Sequence, residues 1–328
     1  MMRGVRRRLP GVVVLVFIGG VAWLLATMIP VITPLVLAIA IGALMSNTIG
    51  LPTRAAAGIG IHATLLEIGI VLLGAQVLLG PLLSLGPLIL ALVTGVVVLG
   101  LATVTLIARA VDLDEGLTSL LAAGSSICGI SAIAAVAPIC DIEDSHIAHA
   151  AATIVLFDAV TLLAFPVAAH WLGLDSQFFG IWIGLAMFST GPVAAAGFAY
   201  SVTAGQWATV TKLARNGFIG LVALWYTVRS VDRHTETSFL RTLWDEFPWF
   251  LLGFLGMVVW ANSGLMPARM VDVLAIGADG LFLLAFAGLG TELRVREMAD
   301  SGVVPIAVVG VNLLLIAALT FGILTITL

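Results

Sequence analysis

Residues 122–139 read AAGSSICGISAIAAVAPI. The stretch is apolar enough for a membrane interior, yet Gly124, Ser125, Ser126, Gly129 and Ser131 cluster at its middle and Pro138 lies near its end. A helix interrupted at depth exposes backbone N–H and C=O groups that lipid cannot satisfy, so the break must line a cavity or be buried in protein. Residues 184–201, GLAMFSTGPVAAAGFAYS, repeat the theme. There Ser189-Thr190-Gly191-Pro192 interrupts the helix, because proline lacks the N–H and clashes with the preceding turn. Half-helix N-termini carry a positive partial charge and free donors, which suits an anion. Close helix packing through small residues is the plainer alternative for both stretches.

The surroundings make the membrane reading secure. Of 328 residues, 61% are hydrophobic and only 10% charged, and mean hydropathy is +1.19. Crossing a bilayer takes about 20 apolar residues. Segments of that kind recur at 11–29, 31–47, 57–79, 86–108, 117–139, 146–170, 178–200, 207–228, 247–262, 268–290 and 302–326. The expectation is an all-α polytopic membrane protein of about eleven transmembrane helices, two of them broken, with no separate soluble domain. The basic start and long apolar run of the N-terminus read as an uncleaved first span. Arginine placement orients the chain. With Arg3, Arg6, Arg7 and Arg8 in the cytoplasm, alternation puts Arg54, Arg109, Arg229, Arg233, Arg241, Arg294 and Arg296 inside and only Arg269 outside. The C-terminus then lies outside, and loop 141–144 falls outside too. The expected location is the plasma membrane of a prokaryote. Residues 229–246 read as a cytoplasmic connector between halves.

Two stretches echo each other. Residues 35–75 and 250–290 each hold a short apolar helix ending at Asn (Asn47, Asn262), then Gly-Leu before an arginine, then a long span. Their first helices are the second and ninth segments, so the copies have opposite orientations. Such inverted repeats are the architecture of secondary transporters.

Charge inside the spans marks the candidate site. Lys212 is the chain's one lysine and lies within 205–228, GQWATVTKLARNGFIGLVALWYTV. Lys212, Arg215 and Asn216 share one helix face at i, i+3 and i+4. Each cation costs roughly 2.5–3.5 kcal/mol in lipid on insertion scales, so these residues are expected to face a site, unless Lys212 snorkels to the surface. Asp158 and Glu67 also fall within spans, and each is a candidate proton carrier. Asp158 is equally a candidate fixed counter-ion for Lys212 or Arg215. Asp279 lies nearer an interface, and His62 and His146 lie at span ends. Cys128 and Cys140 have neither metal nor disulfide spacing. The chain carries no Gly-Lys phosphate loop, HExxH or GxSxG. Neither enzyme chemistry nor nucleic-acid binding is expected, and no metal or cofactor.

The string Ile127-Cys128-Gly129-Ile130-Ser131-Ala132-Ile133-Ala134-Ala135-Val136-Ala137-Pro138 resembles the central motif of the YeiH-type sulfate exporter family. So do Leu172-Gly173-Leu174, Phe179-Gly180-Ile181-Trp182, Ala195-Ala196-Gly197-Phe198-Ala199-Tyr200 and Ala208-Thr209-Val210-Thr211-Lys212-Leu213-Ala214-Arg215. Gly69-Ile70-Val71-Leu72-Leu73-Gly74 and Phe247-Pro248-Trp249-Phe250 also fit. The resemblance implies the cation:proton antiporter and anion transporter superfamily, with inverted repeats, crossing broken helices and a homodimer. One departure stands out. Where family members resemble His-Asp-Thr-Ala-Gln-Val, this chain has Phe188-Ser189-Thr190-Gly191-Pro192-Val193, and Asp158 stands where the family has glycine.

The expected function is therefore alternating-access transport of a small inorganic or organic anion, sulfate or an organosulfonate. The expected anion site joins Ser125, Ser126, Cys128, Gly129, Ser131, Ser189, Thr190, Gly191, Lys212, Arg215 and Asn216. Asp158 and Glu67 are the ion-coupling candidates, for a proton or sodium. The rivals are a cation:proton antiporter on the same scaffold, an anion channel, and a non-transporting sensor.

Overall fold

The computed structural model describes residues 2–28, 33–52, 54–140, 142–229, 248–296 and 302–328. They form helices and no strand. In chain order these are α1 Met2–Met28, α2 Pro34–Thr48, α3 Ala56–Ile59, α4 His62–Leu73, α5 Leu79–Ala110, α6 Glu115–Ser126, α7 Ile130–Cys140 and α8 Asp144–Leu172. Then follow α9 Ser176–Ala186, α10 Thr190–Tyr200, α11 Val202–Asn216, α12 Ile219–Arg229, α13 Trp249–Asn262, α14 Ala268–Glu292 and α15 Val303–Thr327. Among the described residues, six helical segments are long and apolar enough to cross a membrane: Arg8–Met28, Ala56–Gln76, Leu79–Ala110, Asp144–Leu172, Ala268–Glu292 and Val303–Thr327. In position, each expected segment overlaps one of these or a shorter helix. Arg229 ends α12, while the rest of the expected connector, with Arg233 and Arg241, lies outside the described residues.

The chain divides into two compact units. One holds Met1–Ser84 and Trp249–Val295, the other Leu85–Pro248 and Arg296–Leu328. In the first, Leu15, Ile18 and Ala22 of α1 pack with Ala38 of α2, Ile59 of α3 and Ala287 of α14. The internal echo is visible here as hydrogen bonds. Asn47, near the end of α2, donates to Leu293 O (2.6 Å) and accepts from Val295 N (2.9 Å). Asn262, at the end of α13, donates to Val77 O (2.9 Å) and accepts from Leu79 N (3.0 Å). Each asparagine thus binds a C=O and an N–H at the short non-helical link just past the long helix of the other copy. The long helices α4 and α14 run antiparallel: His62 lies against Gly288, Gly69 against Phe282, and Leu72 against Gly277. The long helices of the two echoed stretches thus run in opposite directions.

The second unit departs from expectation. The two broken segments are not kinked spans; each doubles back on itself. The end of the first returns to its start, since Ile142 packs on Gly116 and His146 Nδ1 lies 3.4 Å from Asp114 Oδ1. The second does the same. Tyr200 donates its hydroxyl to Leu174 O (2.5 Å), and Ser201 Oγ donates to Ser176 Oγ (2.9 Å). The α6–α7 and α9–α10 pairs are therefore hairpins with tips at 127–129 and 187–189. Arms of 11 or 12 residues reach about 17 Å at 1.5 Å per residue, roughly half of a 30 Å hydrocarbon core.

Both hairpins are launched by one device. After α5, Asp112 adopts φ 50° and Leu113 N donates to Ala108 O (2.9 Å); Asp114 then caps Gly116 N and Leu117 N. After α8, Gly173 adopts φ 61° and Leu174 N donates to Ala169 O (3.0 Å); Asp175 then caps Gln177 N and Phe178 N. A left-handed residue ends the long helix, and an aspartate starts the next. The first hairpin is rooted at the N-terminal end of α8 and the second at its C-terminal end, so they approach each other from opposite directions.

Two smaller differences concern prolines and the eighth segment. Pro192 sits in the first turn of α10, where its missing N–H costs nothing; the interruption is upstream, at 187–189. Pro138 lies in the last turn of α7, which continues to Cys140. The eighth segment is also divided, because Gly217 and Phe218 separate α11 from α12.

Candidate functional site

The site is built by letting α11 come close to both arms of the second hairpin. Gly180 and Gly184 of α9 let Ala204, Ala208 and Thr211 approach, and Gly197 of α10 meets Gly205. Small residues on facing surfaces are what allow such contact between membrane helices. The packing carries Lys212 and Arg215 to the place where the two tips meet. Both are buried, at 0% and 1% exposure, so Lys212 does not snorkel.

The cations bind backbone. Lys212 Nζ donates to Ile127 O (2.7 Å) at one tip and Met187 O (3.1 Å) at the other. Arg215 donates from Nε to Ser126 O (2.7 Å), from Nη1 to Leu185 O and Met187 O (both 2.8 Å), and from Nη2 to Ser125 O (2.5 Å). All these acceptors are at the C-terminal ends of α6 and α9, where the last carbonyls lack helical partners and the helix dipole is negative. Sequence reasoning placed the cations toward a visiting anion; in the structure they donate to these carbonyls.

The opposite charge sits at an opposite pole. Asp158, near the middle of α8 and 3% exposed, accepts the Ser189 N–H at 3.1 Å. Ser189 is the N-cap of α10, and its own side chain makes no capping bond. The carboxylate therefore stands where the dipole of α10 is positive. Asp158 also interacts electrostatically with Lys212 and Arg215.

The other expected residues fall around this core. Gly129 has φ 71°, and a side-chain atom there would overlap Ser189 Oγ, so the tips touch at this glycine. Ser125 donates its hydroxyl to Leu121 O (2.7 Å), and Ser126 Oγ is buried without a partner, facing Gly100 of α5. Cys128 and Gly191 are buried, whereas Ser131, in the first turn of α7, is exposed. Asn216 Nδ2 donates to Thr190 Oγ1 (3.0 Å), and its Oδ1 is buried without a partner. Glu67 belongs to the first unit, on α4, with an exposed side chain. Sequence reasoning missed Asn312, whose Nδ2 donates to Ser125 Oγ (3.4 Å). A lone asparagine in the middle of α15, whose other polar residues are threonines nearer its end, was the available signal.

A profile of the family described as "Conserved hypothetical protein 698" matches residues 10–309. The chain is 33% identical to a UPF0324 membrane protein of Agrobacterium fabrum over 311 residues, covering 94% of this chain and 86% of that one. It is 29% identical to a UPF0324 membrane protein of Bradyrhizobium diazoefficiens over 326 residues, covering 96% and 92%. A UPF0324 membrane protein of Nitratidesulfovibrio vulgaris is 29% identical over 275 residues, covering 81% and 76%. No solved structure matches.

Proposed function

We propose that this chain, which belongs to the Conserved hypothetical protein 698 family of UPF0324 membrane proteins, is a secondary transporter that moves a small anion by alternating access. One observation carries the reading. The N-termini of α7 and α10 begin side by side where the tips touch, at Gly129 and Ser189. The first-turn N–H groups of Ile130, Ser131, Thr190 and Gly191 lack a preceding helical turn to bind, and two cations outnumber one carboxylate nearby. An anion accepting from these donors would complete the charge pattern. Lys212 and Arg215 then act through their field and by holding the tips, while the donors and the Ser131 hydroxyl make the contact. A sulfate or small sulfonate suits a site rich in donors. Inverted repeats and opposed hairpins add support, because such repeats frame the central sites of secondary transporters.

The geometry also favours one orientation. Folding back both broken segments leaves every arginine-bearing gap on its assigned side, with Arg269 alone outside. Only the gaps flanking α8 change sides: 141–144 moves to the cytoplasm and 173–175 to the outside. The N-terminus is then cytoplasmic and the C-terminus outside.

The test is thermal unfolding of the purified protein with sulfate, a small sulfonate, or sodium and lithium salts of an inert anion. The expected result is stabilisation by the oxyanions. Stabilisation by the cations alone would favour the cation:proton antiporter. Counterflow in proteoliposomes completes the test, because a channel gives no obligatory exchange and a sensor gives no flux.

A further inference from the structure

We infer that Asp158 couples the anion to a proton that travels with it in the same direction. This rests on the reading that the hairpin tips hold an anion. Four half-helix ends meet at the tips. Lys212 and Arg215 cover the two C-terminal ends, and Asp158 covers the N-terminal end of α10 through Ser189 N–H. The segment 127–137, which carries the N-terminal end of α7, contains no acidic residue of its own. Asp158 and a bound anion are thus rivals for the same positive potential.

The consequence follows from charge. With the carboxylate ionised, the buried core holds two cations and one anion. A proton on Asp158 removes the anion and leaves the α10 N-terminus without a counter-charge. The incoming anion then meets a site more positive by one unit. For a singly charged anion at about 6–10 Å and an effective dielectric of about 20, that unit is worth roughly 15- to 100-fold in affinity, and more for a dianion. Linkage is reciprocal, so the bound anion raises the proton affinity of Asp158 by the same factor. The proton forms the carboxyl O–H when the anion enters and leaves when the anion departs.

Few other titratable groups stand near Asp158. From α11 it faces Lys212 and Arg215, and Cys128 of the first tip lies by the same two cations. Helices α6, α7, α10 and α15 also pack on α8. Their other titratable side chains, Glu115, Cys140 and Tyr200, sit at the hairpin bases, and α15 has none. On α8 itself, Asp144, His146, His149 and His170 lie toward the helix ends.

The experiment measures sulfate affinity of the full chain across a pH series, for wild type and Asp158→Asn. Asparagine keeps the shape and can still accept the Ser189 N–H. Sulfate remains a dianion throughout, so any pH dependence belongs to the protein. Wild-type affinity should fall at least tenfold as pH rises through the titration. Asp158→Asn should bind more tightly than wild type at high pH and show no such slope. In proteoliposomes an acid gradient should drive uphill sulfate uptake by wild type and not by Asp158→Asn. A flat wild-type profile, a slope surviving in Asp158→Asn, or sodium replacing the pH dependence overturns the coupling and leaves the anion site standing. If sulfate binds neither protein at any pH, the anion reading itself falls and the coupling falls with it.

Discussion

Replacing Arg215 with alanine asks whether this guanidinium holds the hairpin tips or touches the anion. Arg215 is 1% exposed and donates to Ser125, Ser126, Leu185 and Met187 carbonyls. In Arg215→Ala, Met187 O keeps Lys212 as a donor, so the Ser125, Ser126 and Leu185 carbonyls are the ones deprived. Each buried acceptor left without a donor costs about 1–3 kcal/mol, which puts the total at about 3–9 kcal/mol. Relief of the desolvation of a buried charge works in the other direction. Polar contacts between membrane helices also measure low, near 0.6 kcal/mol on average. The lower end, about 3 kcal/mol, is the working figure. At about 2 °C per kcal/mol for a large domain, Arg215→Ala should unfold about 6 °C below wild type in anion-free buffer. Arg215→Lys should lose less, because the ammonium keeps the charge but not the planar fork that serves both tips. The assay is thermal unfolding in detergent, with and without sulfate. An Arg215→Ala protein that unfolds with wild type in anion-free buffer, yet no longer gains from sulfate, would refute the capping role and make Arg215 an anion ligand.

Two further predictions test the fold. Asn47→Ala and Asn262→Ala should each cost about 1 kcal/mol, and because the clamps are separate, the double variant should lose the sum; an asymmetric pair of losses would argue against equivalent repeats. Single cysteines placed at Asp114 and Asp144 in a cysteine-free background should react with an impermeant thiol reagent from one face of the membrane, and those at Asp175 and Ser201 from the other. Labelling of positions 114 and 144 from opposite faces would restore a through-going span in place of the first hairpin.

The membrane class, the inverted pair around Asn47 and Asn262, and the two interruptions were all legible in residue order. Each is a local property: apolar run length, a matching asparagine at a helix end, and glycine, serine and proline where a helix cannot continue. Lys212, Arg215 and Asp158 were legible as a problem, since charge in lipid needs a partner wherever it occurs. The partners themselves were not. They are backbone carbonyls and an N–H that a sequence does not show as free until the helices end. The role of Asn312 is hidden for a similar reason, because its contact with Ser125 joins residues far apart in the chain.

Residue order alone puts this chain in a membrane, breaks two of its helices and places charge near the breaks. That both breaks are hairpin tips approaching from opposite ends of α8, with the cations on the negative ends of α6 and α9 and the carboxylate on the positive end of α10, emerges from the fold. An interrupted helix has no preferred angle of its own. Whether it continues or returns depends on contacts with α8 and α11, and those depend on Gly180, Gly184 and Gly197 meeting surfaces that a linear reading does not bring together.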